Sequence, residues 1–393
     1  MFSIKRRDFC RHMILGSAFF AGSIATNSSF AIDSNYSQNK SRYKWVVLYW
    51  MPYDNDLVRF GEPIVEMLTQ GTQNSENLVV VQSDYWGDSN MRRRLFSNGI
   101  VNEIDIAGED SSDVSAFRDY LNWANLNFEA QHWAVIIVGH GGKINEVSPD
   151  DHKAIDKKRT WMGVDQFADA VSSFNRATKV GVELLFFQNC NKATLEVLYE
   201  VRNCARYTLA SQLALGAPNY YYKGFLNRLK DPSVKGREAA IAIMDSERID
   251  MYHTLTLVDN QTVKLIPEKL SQVLKRIINK GLPAIKQSEL STYHYSGERH
   301  CDALLLLNYL SRTNNRVQNE LSDFAEFLLS SVTVYYKAGG ELYGSFYKNT
   351  NLEKLCGMSL YLPENKQEFY RYCSLDLYQE VALVDLYRKI FSV

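Results

Sequence analysis

Long apolar runs recurring at intervals are the strongest constraint on how this chain can fold. "KWVVLYWM" at 44–51, "NLVVVQSDYW" at 77–86, "HWAVIIVGH" at 132–140 and "VELLFFQNC" at 182–190 are rich in β-branched and aromatic residues. Runs without polar alternation suit strands buried on both faces, as in parallel sheets. "RYTLASQ" at 206–212 makes a fifth, shorter run. Helical patterns lie between them. Residues 55–71 end at a glycine, and 112–128 offer Ser112 as an N-cap with apolar residues three and four apart; 163–177 and 193–205 repeat that spacing. "RRRLFSNGIVNEIDIA" at 92–107 reads as two short strands about an Asn98-Gly99 hairpin. Strand and helix thus alternate from 44 to 212, which predicts an α/β fold with a mostly parallel sheet and helices on both faces. Residues 213–393 are less regular, with helices expected near 235–246, 266–280, 316–330 and 375–391 and strands at 331–337 and 357–362. "DDHKAIDKKRT" at 150–160 reads as an exposed charged insertion.

The chain has 393 residues, 46% of them hydrophobic, enough for a sizeable core. Its formal net charge of −1 gives no reason to expect nucleic acid as a partner. The first residues differ from the rest. "MFSIKRRDFCRH" is basic, "MILGSAFFAGSIA" is apolar with small residues, and Ser29 and Ala31 stand at −3 and −1 of a cleavage point. This is the layout of an export signal over 1–31, with 32–42 as a linker. Lys5-Arg6-Arg7-Asp8-Phe9 resembles a twin-arginine signal; the alternative is an ordinary secretory signal with two arginines. The apolar run is too short for a comfortable span, and no later stretch is longer. The mature chain is therefore expected to be exported, periplasmic or secreted, without a membrane span. Removal of the signal leaves Cys190, Cys204, Cys301, Cys356 and Cys373, an odd set in which at least one thiol stays unpaired.

In open α/β sheets, functional groups collect at the carboxyl ends of strands. "VIIVGHGG" ends at His140 with Gly141 and Gly142 behind it, and "LLFFQNC" ends at Cys190. If those strands are neighbours, both side chains reach one edge. A thiol needs a base to be a good nucleophile at neutral pH. Glycines let backbone approach a substrate and present N–H donors to an oxyanion. Asn191 reads as the start of a helix, whose N-terminus would favour a thiolate. Taken singly, such a Cys is usually a small buried hydrophobe and such a His a satisfied polar residue; the conjunction points to a Cys/His hydrolase.

"KWVVLYWMPYDNDL", "HWAVIIVGHGG", "LLFFQNCNKATLEVLYEVRNCARYTLASQ" and "GMSLYLPE" resemble, in order and spacing, the clostripain-like cysteine peptidases of the caspase-like clan. The resemblance covers about 43–225 well and reaches 362 weakly. It implies a caspase-like catalytic domain at 43–225, a C-terminal mixed α+β region at 226–393, and a protein or peptide substrate. It assigns His140 and Cys190 as a catalytic dyad that needs no third acid residue, with the N–H groups of Gly141 and Cys190 as oxyanion hole. Ser211 and Gln212 match the family's "SQ" and are candidate substrate-binding residues.

One position departs from the family. Its members carry an Asp two residues before the nucleophile, which selects Arg or Lys at P1, the residue whose carbonyl is attacked, by charge pairing. Gln188 stands there. A neutral amide cannot supply that charge, so basic, acidic and neutral P1 residues all stay open. Cations such as Arg59 or Lys223 are candidates to complete an acidic-P1 pocket. Family members are also often activated by cleavage between the dyad residues, and Lys153, Lys157, Lys158 and Arg159 lie in that segment; the plain alternative is a solvated loop. Some use calcium, for which Asp54, Asp56, Asp150 and Asp151 are candidates, although aspartates in turns usually shape turns. Otherwise no cofactor is expected. There is no H-E-x-x-H, G-x-S-x-G or phosphate-binding glycine loop, and His253, His294 and His300 have no spaced metal-ligand partners. The expectation is an exported cysteine endopeptidase. The alternatives are a catalytically silent relative that binds peptides or surfaces, and another Cys-dependent transferase or amidase.

Overall fold

Fourteen strands follow in chain order: β1 (Ser41–Tyr53), β2 (Leu78–Tyr85), β3 (Asn90–Ser97), β4 (Ile100–Ala107), β5 (Phe128–Val138), β6 (Glu146–Asp150), β7 (Thr160–Gly163), β8 (Val182–Gln188), β9 (Tyr207–Ser211), β10 (His253–Asp259), β11 (Thr292–Tyr295), β12 (Glu298–Asp302), β13 (Thr333–Gly339) and β14 (Ser359–Tyr361). They come from a computed structural model that describes residues 40–391 apart from 109, 154, 156, 249, 252, 281–285, 313–316 and 340–354. The export-signal reading at 1–31 and most of the linker lie outside the described residues. One nine-stranded sheet runs β13-β10-β9-β8-β5-β1-β2-β3-β4. At its centre β1 is parallel to β2, and β8 is parallel to both β5 and β9. Antiparallel strands continue it at each edge.

The five apolar runs are β1, β2, β5, β8 and β9, as their composition predicts. Successive side chains on a strand face opposite ways, so an uninterrupted apolar run must be covered twice. Tyr49 packs on Tyr222 while Trp50 packs on Phe117. On β8, Phe186 meets Tyr221 and Phe187 meets Phe167. One face carries the helices Gly61–Gly71, Tyr222–Arg228 and Gly236–Ser246; the other carries Val114–Asn127 and Val164–Ala177. The β3–β4 hairpin turns at Asn98 and Gly99, both with positive φ (50° and 75°), as a type I′ turn requires.

Three expectations are corrected. The boundary expected at 225 falls inside one compact unit, Arg42–Val393, because β10 and β13 join the main sheet. The helix Val114–Asn127 is capped by Asp113, whose carboxylate accepts the Ser115 N–H, while the Ser112 hydroxyl turns to Asp110. The helix after Cys190 spans only Leu195–Glu200 and is capped by Thr194; it does not start at Asn191. Asn191 has φ 56°, and the N–H groups of Asn191, Lys192 and Ala193 donate to Leu213 and Ser211 carbonyls, so those residues are tied to the end of β9 and not to a helix. The 150–160 insertion is exposed at Lys153, Ile155 and 157–160, as its charge predicts; it joins the β6–β7 hairpin, and Asp150 and His152 at its start are buried.

A smaller sheet, β11-β12-β14, packs beside the end of β9, where Thr194 bridges to Ser359. Phe186→Ala should cost about 3–5 kcal/mol in urea unfolding, because its ring is enclosed on the covered face. Ile104→Ala on the exposed edge strand β4 should change stability by less than about 0.5 kcal/mol.

Candidate active site

Register brings the two sequence candidates together. In the parallel β5–β8 pair, Val138 lies opposite Gln188, and the Gly139 N–H donates to the Gln188 carbonyl (3.2 Å). His140 and Cys190 are each two residues further on, and both line one cleft with Tyr53, Leu57, Gln188, Leu215, Pro218 and Asn219. Asn189, between Gln188 and Cys190, is buried and donates through Nδ2 to the carbonyls of Gly139 (2.9 Å) and His140 (3.0 Å). Its amide thereby fixes the path of the His140 loop. Gly141 passes so close to Cys190 that a Cβ there would stand 2.1 Å from the Cys190 carbonyl oxygen. Only glycine allows that approach. Among the described residues no carbonyl accepts from the N–H of Gly141 or of Cys190.

His140 has an acidic neighbour. Its Nε2 lies 2.8 Å from Asp56 Oδ1. Burial alone would push the Asp56 carboxyl up, but the hydrogen bond and charge of His140 outweigh it and hold the carboxyl below its ordinary value. Asp56 sits in a single turn of 3-10 helix, Asp56–Phe60, capped by Asn55, whose side chain accepts the Leu57 N–H. The contact leaves Nδ1 of His140 as the ring nitrogen available to the cleft. No hydrogen bond joins His140 to Cys190 among the described residues, so imidazole and thiol face one space without closing it.

Cys190 is half-buried, and its Sγ accepts the Leu215 N–H at 3.3 Å. Burial pushes the thiol above its ordinary value, against the lowering effects of Leu215, Tyr295 and Lys192. A thiolate held by a helix N-terminus is therefore corrected: the helix begins five residues later, and burial disfavours the anion. Beneath it Lys192 is fully buried and donates to the Lys143 carbonyl (2.6 Å). Glu298 accepts the Ile144 N–H (3.0 Å). Burial pushes Lys192 down to about 7 and Glu298 up to about 7, and their mutual attraction opposes both shifts. The pair holds the loop after His140 from below.

Gln188 lines the cleft, and its amide is engaged. Nε2 donates to Asn219 Oδ1 (2.8 Å) and to the Tyr222 hydroxyl (2.7 Å), and Oε1 accepts from the Tyr221 hydroxyl (2.6 Å). Leaving a buried amide unpaired costs about 1–3 kcal/mol, so this array fixes the Gln188 side chain. Ser211 and Gln212 are corrected as substrate-binding candidates: both are fully buried. The Ser211 carbonyl takes the N–H groups of Lys192 and Ala193, and Gln212 donates to Asp302 (2.9 Å). They brace the nucleophile loop from behind. Asp56, Asn189, Lys192 and Asn219 were not assigned these places by sequence. "DND" and "GAPNYYY" mark turns, and nothing local in either says that its side chain meets a strand end far along the chain.

Of the four calcium candidates, Asp54 and Asp150 come together beside Asp84, and the other two lie elsewhere. Asp56 goes to His140, and Asp151 pairs with Arg159. Asp54 accepts the N–H groups of Gly87 (3.1 Å) and Lys153 (2.8 Å). Asp110, Asp150 and His152 come together, but Asp150 already accepts from His152 N–H (2.6 Å) and Ser111 N–H (2.6 Å). Calcium asks for about six to eight oxygen ligands, more than Asp110, Asp150 and His152 supply by themselves. Arg59 and Lys223 are exposed and do not line the cleft. The tip residues Lys153, Lys157, Lys158 and Arg159 are exposed, with Lys153 above the Trp86 ring.

Asp84 lies with Asp54 and Asp150, and burial, then the hydrogen bond and charge of Asp150, push it up to about 10. An unfolded carboxyl titrates at about 4. Between those values the folded chain keeps a proton that the unfolded chain releases. The contribution is therefore full below about pH 4 and is lost as pH rises through about 10. Asp84→Asn supplies the hydrogen permanently. Its melting temperature relative to the parent should rise between pH 5 and pH 9 in scanning calorimetry, whereas a constant difference would exclude the shared proton.

Known proteins resemble this chain in sequence and in fold. The sequence profile of the Clostripain family matches residues 49–387. Clostripain of Hathewaya histolytica is 24% identical over 234 residues, 51% of this chain and 44% of the relative, so the match spans less than half of that protein. Among solved structures, a secreted C11 cysteine protease from Bacteroides thetaiotaomicron in complex with an irreversible peptide inhibitor superposes with a TM-score of 0.65 at 16% identity, covering 88% of this chain and 99% of that one. An inactive zymogen C11 protease from Parabacteroides distasonis gives 0.65 at 16% identity, covering 86% and 98%. The α/β architecture is that of C11 proteases, and with the family profile matching most of its length, the chain belongs to the clostripain family of cysteine peptidases.

Proposed function

We propose that this chain is an exported cysteine endopeptidase acting through His140 and Cys190. The observation that carries the reading is the convergence of both side chains on one cleft, with Gly141 against the nucleophile's own backbone. Cys190 Sγ attacks the scissile carbonyl carbon, and its proton passes to His140. The N–H groups of Gly141 and Cys190 receive the oxyanion. Collapse breaks the C–N bond as His140 returns the proton to the leaving amine, leaving a thioester on Cys190. Water then attacks the thioester with His140 as base; the acid product leaves and the thiol recovers its hydrogen. Asp56 holds Nε2, so that Nδ1 is presented to the thiol. The raised thiol favours proton transfer at the moment of attack over a standing thiolate. The same raised thiol is what a silent, peptide-binding relative would carry, which makes thiol reactivity the deciding measurement.

Export rests on the N-terminal pattern and on the secreted relative among the solved structures. No helix of the described residues is long and apolar enough to cross a membrane. The exposed tip at 153–159 is the segment where cleavage between the dyad residues would fall.

Cys190 should react with iodoacetamide much faster than Cys204, which is fully buried and pushed up to about 12. Equal rates would favour the silent relative, and Cys190→Ala should remove all peptide hydrolysis. Asp56→Asn should lower kcat on the order of tenfold with little change in KM. That is far less than the roughly 10⁴ lost with a buried triad aspartate, because the Asp56 side chain is 66% exposed. Unchanged kcat in this variant would remove Asp56 from the mechanism.

A further inference from the structure

The inner wall of the cleft is built from two amides. Gln188 and Asn219 are 6% and 3% exposed and bond one another directly. The remaining hydrogen of Gln188 Nε2 goes to Tyr222, and Tyr221 donates to its Oε1. Those two tyrosine rings are stacked 4.3 Å apart on the main core, so the wall cannot swing aside. Left over for a ligand are lone pairs on Gln188 Oε1 and Asn219 Oδ1 and the one amide hydrogen of Asn219 that Glu247 does not take. Leu57, Val138, Ala217 and Pro218 complete the wall with apolar surface.

Charge is missing from this wall. Among the described residues lining the cleft there is no carboxylate, lysine or arginine. Asp56 is bound to His140. Glu247 stands behind Asn219, hydrogen-bonded to its side chain and accepting the Tyr220 N–H (3.1 Å), and burial pushes its carboxyl up. A guanidinium or ammonium seated here would lose its water and find no anion, and a carboxylate would find no cation. The cleft holds about 90 Å³.

Resting on the peptidase reading above, we propose that the subsite beside Cys190 takes a neutral amide side chain at P1, asparagine or glutamine, and rejects arginine, lysine, aspartate and glutamate. A terminal amide offers one acceptor and two donors, the complement of what the Gln188–Asn219 wall leaves unfilled. A site built to hydrogen-bond its substrate discriminates strongly against side chains that cannot return those bonds. The same preference spares the chain's own exposed tip, whose Lys153, Lys157, Lys158 and Arg159 are cations.

The test is a fluorogenic peptide library varied at P1, cleaved by the full mature chain, with Cys190→Ala as blank. Asparagine or glutamine is expected to exceed each charged residue at least tenfold in kcat/KM. Asn219→Asp and Gln188→Asp should each raise cleavage after arginine and lysine at least tenfold relative to asparagine. If Gln188→Asp does not fold, as judged by circular dichroism, Asn219→Asp carries the same charge to the same wall. Parent activity highest after a charged residue overturns the inference while leaving the peptidase reading intact, and so does activity highest after an aliphatic residue. Absence of any Cys190-dependent cleavage, together with slow Cys190 labelling, removes the peptidase reading and the inference with it.

Discussion

The parallel hydrogen bonding of β5 to β8 is the constraint on which the rest depends. Opposing Val138 to Gln188 decides that the next residues of each strand, Gly139-His140 and Asn189-Cys190, leave the sheet side by side. A slip of one residue would turn every side chain of one strand to the other face. It would send Phe187 toward the side of Tyr221 and Phe186 toward Phe167, against the packing observed on each face. The register of the site is thus held by large aromatic side chains away from it, and Asn189 then pins the loop with two hydrogen bonds.

Around that edge the structure places buried polar groups that serve as scaffold. Lys192, Glu298, Asn191 and His300 lie under the nucleophile loop and connect it to the small sheet of β11, β12 and β14. His300 is pushed down to about 3 by burial and then by Lys192, so it stays neutral. Buried polar groups of this kind are costly when any partner is lost. They make the loops beside Cys190 depend on chain as distant as Tyr293 and Tyr372. This explains why the segment after 225 cannot be regarded as an appendage: it supplies both sheet strands and the underside of the site.

Much of this was legible early because each signal was local. Continuous apolar runs declared doubly covered strands, Asn98-Gly99 declared a hairpin, and strands ending on Cys and His-Gly declared a working edge. The failures share a cause. Asn191 begins "NKATLEVLYE", which has helical spacing, yet its N–H and those of the next two residues are claimed by the end of β9, so the helix waits until Leu195. Ser211 and Gln212 look like polar residues at a strand end, but the β10 strand and Asp302 cover them. Asp56 reads as a turn former, and only folding brings it to His140.

The sequence by itself determined the architecture, the family and the two candidate side chains, His140 and Cys190. These depend on periodicity and on residue chemistry at strand ends, both properties of short contiguous segments. Only the tertiary structure decided that burial raises the Cys190 thiol, that His140 has a carboxylate partner, and that Gln188 is joined to Asn219 in an uncharged wall. Each of these is set by desolvation or by a hydrogen bond between residues far apart in the chain, 84 positions for His140 and Asp56 and 31 for Gln188 and Asn219. Such quantities have no value until the surrounding side chains exclude water and fix the distance.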